Sequence, residues 1–371
     1  MSDDTLRMLR DSAADFARLD AVRVRRMRGA SPGFERGVWQ EMADMGWLSV
    51  LVPESHEGLG LGIGAAVIIA EQLGRALYPE PYSASAVLAT LALLHGDSEE
   101  LKQRHLPQLA AGKLVASLAW QGEGGGLDVA QCGVHLCERG GQRVLEGRSR
   151  FVEAPDADAF IVSALSTHGL ELHWIERDAA GLSCTLEARA DGSASALLAY
   201  DGVIASDATR IASIACANSA LKLAIDHAVV AASAELLGVM DSALALTLDY
   251  LRTRVQFGKP IGSFQALQHR AVDLYIQKEL SRAALDAASA RLADPACTPE
   301  QRAAAASSIK ARASQAALAI CNEALQMHGA IGFTDEYDLG LYFNRALVLS
   351  AWLGNASAHR RRYSELQEAA T

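Results

Sequence analysis

The sequence predicts a mainly α chain with a central antiparallel β domain and a C-terminal four-helix bundle. Three observations predict it. Half of the 371 residues are apolar and only 6% are aromatic, with alanine abundant, which suits well-buried helices. Apolar residues recur at helical spacing over both ends of the chain. Between them the texture changes to short Val, Leu and Ile runs separated by Gly, Asp and Ser. The length suits two or three domains, expected at residues 1–113, 114–207 and 208–371.

The first domain reads as helical. Leu6, Leu9, Ala13, Phe16 and Ala17 share one helical face, and Trp39, Met42, Met45 and Leu48 share another. The helix with Trp39 is expected to stop at Gly46. A loop with Gly58, Gly60 and Gly62 follows, then a helix from about Gly64 to Leu77, stopped by Tyr78-Pro79-Glu80-Pro81. The glycines fit a tight turn better than a phosphate cradle, since no GxGxxG follows a strand and no GK[ST] occurs.

In the middle domain the expected strands are Leu114–Trp120, Val134–Cys137, Arg143–Leu145, Phe160–Ala164, Leu170–Ile175 and Ala196–Tyr200. Gly140-Gly141 is a good hairpin turn. The last domain reads as four helices, at about 208–254, 263–293, 298–327 and 336–368. The third opens with Thr298-Pro299-Glu300-Gln301, a capping box with proline at the first helical position.

The net charge of -10 supplies no basic field for nucleic acid, and His359-Arg360-Arg361-Arg362 reads as a solvated helix end. The six cysteines have no zinc-ligand spacing and read as reduced thiols, so no metal and a cytoplasmic protein are expected. The polar start is unlike a signal peptide. Ala215–Ala234 is interrupted by Asn218, Lys222, Asp226 and His227, so no membrane span is expected.

The stretch Tyr250–His269, YLRTRVQFGKPIGSFQALQH, carries the most chemistry. A helix must end near Gly258-Lys259-Pro260, and Ser263 is a fair N-cap for the next. The corner presents Arg254, Phe257, Gln265 and free backbone donors. It suits a ligand with phosphate and a flat ring, or it is a helical hairpin with a solvated Arg.

Several segments together resemble the acyl-CoA dehydrogenase family of flavoproteins. They are WQEMADMGWLSVLVPESHEGLGLG with IIAEQLGRALYPEP, then RVQFGKPIGSFQALQH, then QMHGAIGFTDEYDLGLYFNRA. The similarity covers nearly the whole chain. It implies an N-terminal helical domain, a small β-barrel and a C-terminal four-helix bundle, in a tetramer that binds FAD between the β domain and the bundle. By resemblance Arg254 holds the FAD pyrophosphate, a role that suits a guanidinium. Phe257 packs beside the adenine end, Gln265 hydrogen-bonds it, and Gln326, Gly329 and Gly332 form the opposite wall. The reaction implied is α,β-dehydrogenation of an acyl-CoA thioester, in which a desolvated carboxylate takes the α proton and the flavin takes a hydride.

That carboxylate is missing from its two family positions. Leu353, before Gly354, stands where the commoner Glu belongs. The second position, about eight turns before Phe257, falls on Ala228. Asp226 and His227 lie beside it, read otherwise as a helix-surface pair. Glu235, two turns further, is the candidate base, read otherwise as a structural carboxylate. In the β domain Phe151 would replace a Trp against the flavin ring. Glu153 would put an anion nearby, Ala330 replaces a Gly, and Glu57 replaces a Gly in the N-terminal loop.

These departures resemble the bacterial steroid side-chain dehydrogenases, α2β2 heterotetramers of two dehydrogenase-like chains. The implied reading is the chain lacking the catalytic Glu, acting on an acyl-CoA such as a steroid side-chain ester. Three alternatives stay open: a self-sufficient homotetrameric dehydrogenase with a displaced base, a non-catalytic scaffold, and a flavin-dependent monooxygenase.

Overall fold

The computed structural model describes residues 3–368, so the outer ends expected at residues 1 and 371 lie outside it. The order of elements is helical, then strand-rich, then helical. The first helices are α1 (Asp3–Phe16), α2 (Ala21–Met27), α3 (Arg36–Asp44) and α4 (Ile63–Arg75). A π-helical stretch, Tyr82–Ala89, runs into α5 (Thr90–Leu94), and α6 (Glu99–Ala110) follows. Ser98 caps α6 by accepting the Leu101 amide. Strands β1 (Ala116–Ala119), β2 (Val134–Arg139), β3 (Gln142–Val152), β4 (Ala159–Ser166), β5 (Gly169–Glu176), β6 (Leu182–Ala188), β7 (Ala194–Ile204) and β8 (Arg210–Ala212) come next. Then come α7 (Ala217–Thr253), the two-residue strands β9 (Val255–Gln256) and β10 (Lys259–Pro260), α8 (Gln265–Ala293), α9 (Pro299–His328), α10 (Leu339–Ala351) and α11 (Ala356–Glu368).

The chain divides into two compact units. One comprises Met27–Ala66 and Pro79–Ala228 and holds the sheet. Its strands run β6-β7-β3-β2-β4-β5-β8, with β1 on β4. The β4 residues Phe160, Ile161 and Val162 are fully buried, which is why this strand reads as an unbroken apolar run. Gly140-Gly141 makes the expected two-residue turn between β2 and β3. The sheet is mixed rather than antiparallel throughout, because β1 and β2 both pair parallel with β4. The ladder is open, with β6 and β8 as its edges.

Two strands escape the sequence pattern. Leu182–Ala188 is largely exposed, so it shows no apolar alternation. Arg210–Ala212, expected as the start of a helix, pairs instead with β5, where Leu172 faces Ala212. The open edge of β5 overrides local helical preference, and α7 begins only at Ala217. In the loop before α4, a side chain on Gly58 would stand 1.9 Å from the Val52 carbonyl, so this loop is a tight structural turn. Glu57 takes the left-handed backbone (φ 63°) despite its side chain.

The other unit comprises Met1–Arg26, Val67–Tyr78 and Val229–Thr371. Here α9 packs against α8, α10 and α11. Its start is the expected capping box, with both the Thr298 and Gln301 side chains engaged. Ion pairs cross three helices. Glu71 of α4 takes both guanidinium nitrogens of Arg282 at 2.5 Å, and Asp241 of α7 takes Arg75 and Lys278.

The expected last helix is two helices. Leu353 (φ 56°) and Gly354 (φ 96°) are left-handed, a conformation a right-handed helix cannot contain. The carbonyls left open at the end of α10 are taken by the fully buried Lys310, at 2.6 Å from Leu349 O and 3.3 Å from Ser350 O.

By length and composition α7 is apolar enough to cross a bilayer, and 78% of its most apolar window is buried inside the protein.

Candidate functional site

Helix α7 ends one turn after Tyr250, whose carbonyl accepts the Arg254 amide at 2.8 Å. The chain then turns through β9 and β10, with Gln256 facing Lys259. Phe257 (φ 54°) and Gly258 (φ 76°) are both left-handed, the signature of a primed two-residue hairpin. The Ile261 amide closes the corner on the Arg254 carbonyl at 2.8 Å. Phe257 is 91% exposed, and its ring meets Phe264 edge-on.

Ser263 does not cap α8. It sits one residue early, in a 3-10 turn, and its hydroxyl donates back to the Pro260 carbonyl at 2.8 Å. Phe264 occupies the cap position and supplies no side-chain acceptor, so the first amides of α8 stay open to an anion.

The second segment starts where α9 stops. Gly329 has φ 65° and ψ −140°, a combination essentially restricted to glycine. A tight turn, Gly329–Phe333, follows. A side chain on Gly332 would stand 3.0 Å from His328 Cβ, so the turn folds back onto that histidine. The two segments are joined directly: Tyr250 stacks on His328, centroids 4.3 Å apart, and donates its hydroxyl to the His328 carbonyl at 3.3 Å.

Arg254, Gln265 and Gln326 are exposed, and their side-chain polar groups make no hydrogen bond or ion pair among the described residues. A cation, two amides and an uncapped helix start, carried on a hydrogen-bonded corner, fit a phosphate-bearing ligand such as FAD. Sequence reasoning missed Tyr250, His328 and Tyr337 as site residues. The only local signals are an aromatic one helical turn before Arg254 and a histidine beside Gly329.

In the sheet unit Phe151 is left-handed (φ 59°) and 39% exposed. Its ring would lie 3.3 Å from a Cβ on Gly125, and the Arg150 guanidinium stands over it at 5.1 Å. The anion expected at Glu153 is compensated, because Arg189 pairs with it directly.

Neither family position for the base offers an ionisable group. Leu353 is 2% exposed, and the buried His359 ring nitrogen Nε2 lies 2.8 Å from its carbonyl. Ala228 is fully buried, and so is Asp226, which is therefore not half of a surface pair. The Nδ1 of His227 lies 2.9 Å from the Leu223 carbonyl. Glu235 is buried, and one carboxylate oxygen accepts from Arg345 at 2.9 Å. No group of three or more His, Cys, Asp or Glu able to hold a metal occurs among the described residues.

The sequence matches the acyl-CoA dehydrogenase N-terminal domain over residues 3–113 and the acyl-CoA dehydrogenase C-terminal domain over residues 209–365. The acyl-CoA dehydrogenase FadE27 of Mycobacterium tuberculosis is 29% identical over 333 residues, spanning 89% of this chain and 87% of that protein. Among solved structures, a variant of the Tcur3481-Tcur3483 steroid ACAD is 30% identical, with a TM-score of 0.88 and 99% of each chain covered. The ChsE4-ChsE5 complex of Mycobacterium tuberculosis is 26% identical, with a TM-score of 0.89, covering 100% of this chain and 99% of that one. With matches to both domains of one family and a likeness to a steroid ACAD over nearly the whole chain, this chain belongs to the acyl-CoA dehydrogenase family of oxidoreductases.

Proposed function

We propose that this chain is the FAD-holding subunit, without a catalytic base, of a cytoplasmic α2β2 acyl-CoA dehydrogenase that oxidises the CoA ester of a steroid side chain. One contrast carries the reading. Arg254, Gln265 and Gln326 keep their polar groups free on a braced corner, while Leu353 and Ala228 hold no ionisable group. Arg254 would grip the pyrophosphate, Gln265 and the open amides of α8 would meet its adenine end, and Gln326, Gly329 and Gly332 would wall it. When bound, FAD supplies the acceptor for the hydride that leaves the substrate β carbon.

Removal of the α proton needs a desolvated carboxylate free of a cation. Glu235 does not meet that need, since Arg345 donates to its carboxylate at 2.9 Å. A second chain would therefore bring the base. Exposed apolar side chains on α8 and in the Gly329–Phe333 turn support such an assembly: Val272 is 55% exposed, Leu280 52% and Phe333 74%. The steroid ester is extended to this chain from the steroid ACAD relative.

The test is to express the chain alone and with a second dehydrogenase-like chain that carries the Glu. FAD content and dehydrogenation of steroid and straight-chain CoA esters are then measured. The expected outcome is a yellow complex, active only with both chains, whose flavin is lost in Arg254→Ala. Full activity of the chain alone, or oxygen consumption with reduced flavin instead of dehydrogenation, would overturn it.

A further inference from the structure

We infer that His328 is the positioning residue of the corner: held between the Ala324 carbonyl and the Tyr337 hydroxyl, and stacked on Tyr250, it locks the Arg254 side of the site to the Gly329–Phe333 side. The inference rests on the FAD reading above and names the group that sets the site's geometry.

The hydrogen bonds decide the tautomer. His328 Nδ1 lies 2.7 Å from the Ala324 carbonyl, which can only accept, so Nδ1 carries the proton. Burial lowers the pKa of His328, which keeps the ring neutral. Nε2 is then an acceptor, and the Tyr337 hydroxyl donates to it at 3.1 Å. One imidazole thus uses both nitrogens and one face.

Each contact reaches a different part of the corner. Tyr250 passes the position of His328 to Arg254, whose amide bonds the Tyr250 carbonyl. Gly332 is seated on His328 itself. Tyr337 pins the end of the connecting loop, and Arg25 holds the residues on either side of it, donating to the Asp335 carbonyl at 2.6 Å and to Asp338 at 2.8 Å. Gln326 and Gly329 flank His328 in sequence. A shift of this ring would therefore move both sides of the site, although the ring itself is buried.

The experiment uses the full chain in the assembly it forms, stripped of flavin. FAD affinity is read by quenching of flavin fluorescence, and the melting temperature of the FAD-free protein is read in parallel. His328→Leu is expected to weaken FAD binding about tenfold, and Tyr337→Phe about fivefold, the scale of one lost hydrogen bond. His328→Gln, which returns an acceptor for Tyr337, should recover affinity to within about threefold of wild type. Tyr337→Phe is the safeguard if His328→Leu fails to fold, since Tyr337 is only partly buried. Should Arg254→Ala lose FAD while the His328 and Tyr337 variants bind normally, the positioning role fails and the FAD reading stands. The role also fails if affinity merely follows melting temperature and His328→Gln restores nothing. If the wild-type assembly takes up no FAD, both fall together.

Discussion

Arg345 donates to the Glu235 carboxylate at 2.9 Å, with side-chain exposures of 20% and 8%. This pair gives Glu235, the candidate base, a cation partner. Removing one partner of a buried pair leaves an uncompensated charge or an unmet donor. Glu235→Gln and Arg345→Ala are each expected to lower stability by about 3 kcal/mol. In a double-mutant cycle by urea unfolding, the combined loss should be smaller than the sum. A Glu235→Gln protein that keeps its stability but loses turnover in the complete assembly would restore Glu235 as the base.

Leu353 fills the place of the family's commoner base, and it does so as a core residue. Its side chain is 2% exposed on a left-handed backbone. Leu353→Ala is expected to cost about 2–4 kcal/mol in chemical denaturation, the range for truncating a buried leucine. The rate constant per folded assembly should stay unchanged, because no proton moves through this residue. A large fall in turnover with little loss of stability would show that Leu353 shapes the reacting centre.

Local signals in the sequence were enough for some features and silent for others. The start of α9 is written in four consecutive residues, Thr298 to Gln301, and the hairpin turn in Gly140-Gly141; both need only near neighbours. The β8 strand is different, since Arg210–Ala212 becomes a strand only because β5 offers an edge. The break at Leu353 depends on Lys310, far away in the chain, to take the freed carbonyls. The family motifs point to Arg254, Gln265 and Gln326, but the contact that joins them, Tyr250 on His328, spans 78 residues. The charge at Glu153 reads as an anomaly until Arg189 is placed beside it.

That pairing is itself testable. Both side chains are largely buried, at 19% and 16% exposure. Arg189→Ala should strand the Glu153 carboxylate and lower stability by about 3 kcal/mol. Glu153→Thr combined with Arg189→Ala removes both charges and should recover most of that loss, as followed by thermal unfolding. If the single and double variants are equally destabilised, Arg189 acts through its packing rather than its charge.

The capping box offers a smaller effect. Thr298 accepts the Gln301 amide while the Gln301 side chain accepts the Thr298 amide, each at 3.3 Å. Thr298→Ala should cost about 1 kcal/mol. Adding Gln301→Ala should cost less than it does alone, because the box is already broken. Strict additivity in denaturation midpoints would mean that the two bonds are independent.

Lys310 predicts a pH dependence with a definite sign. Its side-chain nitrogen is fully buried among the Leu349 and Ser350 carbonyls and the Ser314 hydroxyl, with no carboxylate as partner among the described residues. His359 and Arg362 of α11 lie on the same side of the cluster, with Ser307 of α9 within reach of both. Burial lowers the Lys310 pKa from 10.5 to about 7, and burial pushes that of His359 down to about 3, so His359 stays neutral through this range. Between pH 7 and 10.5 the unfolded chain thus holds a proton that the folded chain has released. The contribution of Lys310 is most favourable above pH 10.5 and is lost as pH falls toward 7, below which it is constant. Lys310→Met removes this term. The difference in unfolding free energy, wild type minus variant, should rise with pH across that window by at most about 1.4 kcal/mol per pH unit. At neutral pH the variant still leaves two helix-end carbonyls without a donor, so it should not be hyperstable. A difference that stays flat from pH 7 to 10 would mean that Lys310 remains charged in the folded protein, held by its three oxygen partners.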